Sequence, residues 1–190
     1  MLAFIPDGSF LLGDGYWNTR IVKYDADGTY LMEWGEAGTG PGQFDLVHGL
    51  AIDRAHRDYV ADRRNNRIQI FTESGQFIAE WPDVTDPVGV FVDEREAVWV
   101  ISASLHRVLK FSLDGELQHF WGAYGGPGGL AGALFRPHQI DVDQEGNVSI
   151  ASWSGGWLNK FAPRPHADPD TLLGRSLTLE PSATPLYLPR

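Results

Sequence analysis

The chain has 190 residues, and 25 Asp and Glu against 15 Lys and Arg give a formal net charge of −10. A chain this acidic repels phosphate backbones and anionic lipid surfaces, so sequence-independent binding of nucleic acid is disfavoured. The absence of cysteine excludes disulfides and thiolate metal sites, and no apolar run approaches the roughly 20 residues that span a bilayer.

Three segments repeat one pattern, in which an arginine opens a short apolar strand, a polar turn follows, and a second strand ends at tryptophan. They are residues 20–35, 67–81 and 107–122, and a fourth copy starts at Trp157 before prolines interrupt it. The tryptophans at 34, 81 and 121 are spaced by 47 and 40 residues. That spacing is typical of a four-stranded propeller blade.

Two further strand patterns precede each later copy. They are residues 49–53 and 58–62, 89–93 and 97–101, and 139–143 and 147–151. All are short, rich in β-branched or aromatic residues and bounded by turn residues, whereas a helical period is absent. The sequence therefore predicts an all-β fold, a β-propeller of four-stranded blades, with about three and a half blades present.

The ends of the chain differ from the repeats. Residues 2–5 take the place of an inner strand, so the first blade lacks its beginning and we expect the N-terminus to be incomplete. The predicted domains are partial propeller at 1–161 and a Pro-rich, loosely ordered tail at 162–190. Missing N-terminal blades or self-association would then close the ring. The sequence does not predict the cellular compartment, because an export signal in a full-length parent would precede Met1.

Two histidines share one position of the repeat. His48 lies five residues before Asp53, and His138 lies five before Asp143, which places both at the entrance of an inner strand beside the channel. Val88 holds the same position in the intervening blade, so the fold does not demand histidine there. Two imidazoles along one channel favour a zinc ion. The alternative is that each histidine caps a strand or packs beside the channel.

Two loops carry the remaining candidate residues. The loop before Arg20 has one residue more than its counterpart before Arg67, which puts Tyr16 in a loop with no core to fill. Such a tyrosine could act as a general base or orient a substrate, or fill a gap at the blade edge. Arg63 in the next blade could pair with a substrate carboxylate, or be solvated.

The repeats resemble a known family. Residues 41–44, 48–53, 60–62 and 66–69 resemble NHL repeats, and residues 13–72 are similar to the peptidyl-α-hydroxyglycine α-amidating lyases. The resemblance extends to residues 136–138 and elsewhere is limited to the repeat. It implies a six-bladed propeller that holds catalytic zinc and structural calcium, and that cleaves peptidyl-α-hydroxyglycine to a peptide amide and glyoxylate.

The resemblance also implies residue roles. His48 and His138 match zinc ligands, Tyr16 matches the proposed base, and Arg63 matches an arginine that contacts substrate. Gln139 stands where the family has a calcium-ligating aspartate, which argues against calcium here. Cysteines that pair in the family's animal members are replaced at positions 59 and 70, which suits a bacterial relative.

Three functions follow as hypotheses. The first is a zinc-dependent carbon–nitrogen lyase acting on a small-molecule or peptide substrate, with the isolated fragment expected to be inactive. The second is a non-catalytic NHL propeller module that binds a protein or small ligand. A calcium-dependent lactonase is a remoter third, because that chemistry needs carboxylates where the inner-strand entrances carry His48, Val88 and His138.

Overall fold

The computed structural model describes residues 1–126, 133–154, 156–175 and 177. Four antiparallel sheets follow one another along the chain, each formed by consecutive strands, and we call them blades 1 to 4. Blade 1 contains β1 (Leu2–Phe4), β2 (Phe10–Asp14), β3 (Arg20–Tyr24) and β4 (Tyr30–Trp34). A short parallel pair, β5 (Glu36–Ala37) and β6 (Gln43–Phe44), leads to blade 2.

The next three sheets repeat this order. Blade 2 contains β7 (Val47–Ile52), β8 (Arg57–Asp62), β9 (Arg67–Thr72) and β10 (Phe77–Trp81). Blade 3 contains β11 (Pro87–Val92), β12 (Val98–Ser102), β13 (Arg107–Phe111) and β14 (Leu117–Trp121). Blade 4 contains β15 (Pro137–Val142), β16 (Val148–Ser152) and β17 (Leu158–Phe161), and a 3-10 turn follows at Pro169–Thr171.

The predicted all-β, propeller-like fold is confirmed, but the number of blades differs from the expected three and a half. Three blades have four strands, and the fourth has three among the described residues. The prediction that residues 2–5 take the place of an inner strand is confirmed by β1, in which Leu2, Ala3 and Phe4 pair with β2 along their whole length. Closure of the ring by six blades stays a prediction.

Apolar side chains fill the spaces between successive blades. One cluster joins blades 1 and 2, a second joins blades 2 and 3, and a third joins blades 3 and 4. The aspartate that follows an inner strand supports this packing from its edge. Tyr59 Oη donates to Asp53 Oδ2 at 3.2 Å, and Trp99 Nε1 donates to Asp93 Oδ2 at 2.9 Å. The repeated aspartate thus satisfies the polar atom of a buried aromatic ring.

The tryptophan that ends a blade packs on a glycine turn of the next blade. Gly75 has φ +76°, and a Cβ there would lie 2.7 Å from the ring of Trp34. Gly115, with φ +85°, faces Trp81 in the same way. The repeat therefore needs glycine in this turn both for a left-handed backbone and for the close approach of the indole.

Arg67 connects β9 to the crossover that contains β5 and β6. Its Nε donates to Asp62 Oδ2 and one terminal nitrogen donates to Glu80 Oε2, both at 2.8 Å. Three further bonds reach backbone carbonyls, those of Thr39, Gly40 and Gln43. Its counterpart Arg20 is half-buried and bonds two carboxylates that are also partly exposed. The same repeat position is thus a buried anchor in blade 2 and a surface ion pair in blade 1.

The described part of residues 162–190 contacts blade 3. Lys110 Nζ donates to the Asp170 carbonyl oxygen at 2.6 Å, and the Gly174 N–H donates to Asp93 Oδ2 at 3.0 Å. Leu173 is buried in the cluster shared by blades 3 and 4. The prolines at 181, 185 and 189 lie outside the described residues. Within the described ranges, no helix has the length and apolar character to cross a membrane.

Candidate functional site

The inner strands of blades 2, 3 and 4 share an irregularity at one position. The pairing register shifts between Val47 and Gly49 on β7, between Pro87 and Gly89 on β11, and between Pro137 and Gln139 on β15. The residue inside each shift is His48, Val88 or His138. A β-bulge leaves its extra residue outside the ladder and re-aims the side chain. The repeat position predicted to face the channel is therefore a bulge in all three blades.

His48 and His138 form the centre of the site, and we call them the histidine pair. Their ring centroids are 4.7 Å apart and the rings meet edge-on. His48 is 3% exposed, and its Nδ1 lies 2.6 Å from the Val88 carbonyl oxygen. Because a carbonyl can only accept, Nδ1 carries the proton and Nε2 keeps its lone pair. The imidazole is thus oriented with its basic nitrogen turned away from the protein backbone.

Burial keeps both imidazoles neutral. It lowers the pKa of His48, and the charges of His138 and Arg63 lower it further, although the bond to the Val88 carbonyl opposes them. The pKa of His138 is also lowered, again by burial first and by Arg63 second, with Asp86 acting in the opposite direction. Neutral imidazole is the form that ligates a metal.

The loop between β2 and β3 brings Tyr16 to the histidine pair. Tyr16 Oη lies 3.1 Å from His48 Nε2, and since that nitrogen carries no proton, the hydroxyl donates. Gly15 permits this approach, because a Cβ there would collide with the Val47 carbonyl oxygen at the start of β7. Tyr16 is 62% exposed, so one side of its ring is open to solvent. The extra loop residue noted in the sequence thus presents a phenol to a buried imidazole.

Arg63 lies beside this group but is held by a different partner. Its Nε donates to Asp86 Oδ1 at 2.7 Å, and its backbone N–H donates to the Leu46 carbonyl oxygen at 3.0 Å. The terminal guanidinium nitrogens bond no other described residue, so they can donate to a ligand. The structure therefore brings Tyr16 and the histidine pair into contact, and sets Arg63 at their edge.

Sequence reasoning missed the residues two places before each bulge. Leu46, Asp86 and Arg136 all have left-handed backbones, with φ of 77°, 45° and 45°. A left-handed conformation is costly for a residue with a side chain and often marks a functional loop. Asp86 anchors Arg63, and Arg136 lines a neighbouring pocket. The sequence does carry a signal for them. The position two residues before the bulge is apolar in blade 2 (Leu46), acidic in blade 3 (Asp86) and basic in blade 4 (Arg136), so its side chain is not dictated by the repeat.

The donor set fits a partial zinc site. Two neutral imidazoles, one with a backbone carbonyl as second-shell partner, have the chemistry that zinc ligation requires. Across the described ranges, no group of three or more His, Asp or Glu side chains could hold a metal ion. Gln139, which stands where the resemblance implies a calcium-ligating aspartate, donates from its amide nitrogen towards Met1 Sδ at 3.0 Å. An amide donor is not the carboxylate that calcium prefers.

No protein-family model matches the chain, but curated proteins do. NHL repeat-containing protein 3 of Mus musculus is 41% identical over 159 residues, which cover 80% of this chain and 45% of that protein. Peptidylglycine alpha-amidating monooxygenase of Rattus norvegicus is 42% identical over 80 residues, which cover 38% of this chain and 8% of that protein. The chain thus spans less than half the length of these curated relatives.

Solved structures share the fold at low identity. Virginiamycin B lyase from Staphylococcus aureus superposes with a TM-score of 0.58 and 14% identity, covering 87% of this chain and 56% of that one. A protein of unknown function from Bacteroides caccae has a TM-score of 0.63 and 17% identity, covering 81% and 56%. These likenesses concern the fold alone. Together with the successive blades, the sequence matches support an NHL-repeat β-propeller.

Proposed function

We propose that the site is that of a zinc-dependent lyase acting on peptidyl-α-hydroxyglycine, with zinc bound by the histidine pair. The observation that carries this proposal is the orientation of His48. The Val88 carbonyl fixes the proton on Nδ1, so the Nε2 lone pair lies beside His138, and zinc would take the place of the Tyr16 hydroxyl that donates to it in this structure. The sequence similarity to amidating monooxygenases supports the same chemistry.

Each side chain has a role in this proposal. Bound zinc would act as a Lewis acid and stabilise negative charge on the substrate hydroxyl oxygen. Tyr16 relays protons: its hydroxyl gives its proton to the departing amide nitrogen and accepts the proton of the substrate hydroxyl, so that the C–N bond breaks as the aldehyde of glyoxylate forms. Arg63 donates from its terminal nitrogens to the substrate carboxylate, while Asp86 holds its Nε.

Zinc binding by this chain should be weak. Catalytic zinc sites have three protein ligands as a rule, and two imidazoles are available here among the described residues. We expect the isolated chain to take up zinc at elevated concentration and to turn over substrate slowly or not at all.

A non-catalytic binding module is the second candidate. It is favoured by the extent of the similarity to NHL repeat-containing protein 3, which covers 80% of the chain, whereas that to the amidating monooxygenases covers 38%. In this case the histidine pair packs beside the channel without metal, and its replacement changes stability alone.

Zinc content measured by mass spectrometry separates the two candidates. The chain, a His48→Ala/His138→Ala variant and a His119→Ala/His166→Ala control would each be dialysed against equal micromolar zinc. The proposal expects zinc in the chain and in the control but not in the first variant. Equal zinc in all three, or none in a folded chain, would refute the metal site and leave the binding module. Zinc uptake would justify an assay of glyoxylate release from an α-hydroxyglycine compound.

A further inference from the structure

A pocket lies near the histidine pair, among loops of blades 2, 3 and 4. Its volume is about 330 Å³, at the lower end of the range for small-molecule sites. Arg63 and Asp86 form the wall that it shares with the candidate zinc site. The polar and aromatic residues that line it are Arg63, Asp86, Ser104, His106, Arg136 and Trp153.

Arg136 provides the unpaired charge of this pocket. Its guanidinium lies 5.1 Å from the ring centroid of Trp153, a cation–π distance. No carboxylate among the described residues bonds it, although the chain carries ten more acidic than basic residues. Stacking holds the planar guanidinium in one orientation while its N–H groups stay available along the edge. Such an arrangement is suited to a ligand that accepts hydrogen bonds.

His106 adds a neutral donor. The backbone N–H of Arg136 donates to His106 Nδ1 at 2.9 Å, so the proton of the neutral imidazole is on Nε2. Burial, and then the charge of Arg136, lower the pKa of His106 and keep the ring uncharged. Its ring is fixed by a parallel contact with Phe135, at a centroid distance of 6.0 Å.

The charges in the pocket sum to one positive unit. Arg63 is offset by Asp86 at 2.7 Å, His106 is neutral, and Arg136 is left without an acidic partner in the part of the chain that the structure describes. A pocket with one excess positive charge on a protein of net charge −10 selects a monoanion against the overall field. The flanking indole and imidazole favour a ligand whose remaining surface is apolar.

We propose that this pocket binds a small monocarboxylate, with Arg136 as its principal charge partner and Trp153 and His106 beside the apolar part. Binding needs no metal and no turnover, so this site can be tested separately from the lyase chemistry. The carboxylate accepts charge-assisted hydrogen bonds from the Arg136 guanidinium, and Arg63, held at Nε by Asp86, lines the same pocket.

The experiment is a titration of the metal-free chain, in EDTA, with benzoate and with its neutral analogue benzamide. The readout is the indole N–H resonance of Trp153 in a proton–nitrogen correlation spectrum, assigned through Trp153→Phe. Benzoate should shift this resonance saturably, and benzamide should bind at least tenfold more weakly. Equal binding of the two compounds, or no movement of the Trp153 resonance, would overturn the proposal.

Variants test the named residue. Arg136→Gln should weaken benzoate at least tenfold, and Arg136→Lys should retain part of the affinity because the charge remains. Arg64→Gln is the matched control, since Arg64 lies next to Arg63, is exposed and pairs with Asp45 at 3.4 Å. Should Arg136→Gln fail to fold, Arg136→Lys and benzamide still decide the matter. Unchanged benzoate affinity in a folded Arg136→Gln variant would refute the assignment.

Discussion

Asp58 is a buried carboxyl that should make the stability of the protein depend strongly on pH. It is 1% exposed on β8, and neither carboxylate oxygen has a hydrogen-bond partner within the described residues. Burial raises the pKa of Asp58 to about 8, and the charges of Glu73 and Asp53 add to the rise while Lys23 opposes it. The folded protein therefore holds a proton that the unfolded chain releases near pH 4.

The sign of the effect follows from this difference. The stabilising contribution of protonated Asp58 is complete below about pH 4, falls as the pH rises towards 8, and is constant above that value. Each pH unit within the window costs up to about 1.4 kcal/mol, so the change from pH 5 to pH 9 is on the order of 4 kcal/mol. A loss of this size is a large part of the stability of an ordinary domain.

Asp58→Asn removes the ionisation while it keeps the size of the side chain. Urea unfolding followed by tryptophan fluorescence at pH 5, 7 and 9 should give a free-energy difference, variant minus parent, that grows by about 4 kcal/mol over the range. Titrating groups that do not interact with Asp58 are common to both proteins and cancel in the difference. Asp27→Asn, in an exposed turn, is the control and should show no such growth. A difference that is constant with pH, or that shrinks, would refute the reasoning.

Three further predictions concern the repeat and the metal site. Arg67→Ala should lower the free energy of unfolding by about 3–5 kcal/mol, because it leaves the buried Asp62 carboxylate without its ionic partner. Arg20→Ala should lower it by less than about 1 kcal/mol, and urea denaturation of both variants tests the difference. Gly28→Ala should cost about 1 kcal/mol for its left-handed φ alone, and Gly75→Ala should cost more because its Cβ would meet an indole ring, so thermal melts should rank the second variant lower. Zinc uptake by the histidine pair should persist below pH 6.5 and be lost on further acidification, since lowered pKa values keep the imidazoles neutral; zinc retention that falls already between pH 8 and 7 would contradict this.

The repeat made the fold predictable from sequence. An aspartate follows the inner strand in blades 2 to 4, and a tryptophan ends blades 1 to 3. In the structure Asp93 bonds Trp99 within blade 3, and Trp34 and Trp81 pack on a glycine turn of the next blade. The strand boundaries followed because each hairpin carries its own turn residues. The short first strand was predictable too, because residues 2–5 match the inner-strand position of the repeat and Leu2–Phe4 pair with β2.

The candidate site was predictable only in part. Repeat position placed His48 and His138 along the channel. The 4.7 Å distance between their ring centroids, however, depends on β-bulges, which no residue type in the sequence predicts. Tyr16 stood out because its loop has an extra residue, and the approach of that loop to β7 rests on Gly15. Asp58 could not be found, because its neighbours in sequence give no sign that β8 buries it without a partner.

The two proposed sites depend on one feature of the backbone. Asp86 and Arg136 occupy the same position in successive blades, both with φ of 45°, and so present opposite charges from equivalent loops. Asp86 neutralises Arg63 and holds its Nε, so that the terminal nitrogens can donate to a ligand without adding net charge. Arg136 has no such acidic partner among the described residues and adds the net charge instead. Reversing the two side chains, Asp86→Arg with Arg136→Asp, keeps the net charge of the pocket but removes the guanidinium that contacts Trp153. It should therefore weaken benzoate binding at least tenfold in the Trp153 titration, and an unchanged affinity would show that net charge, and not the position of Arg136, governs binding.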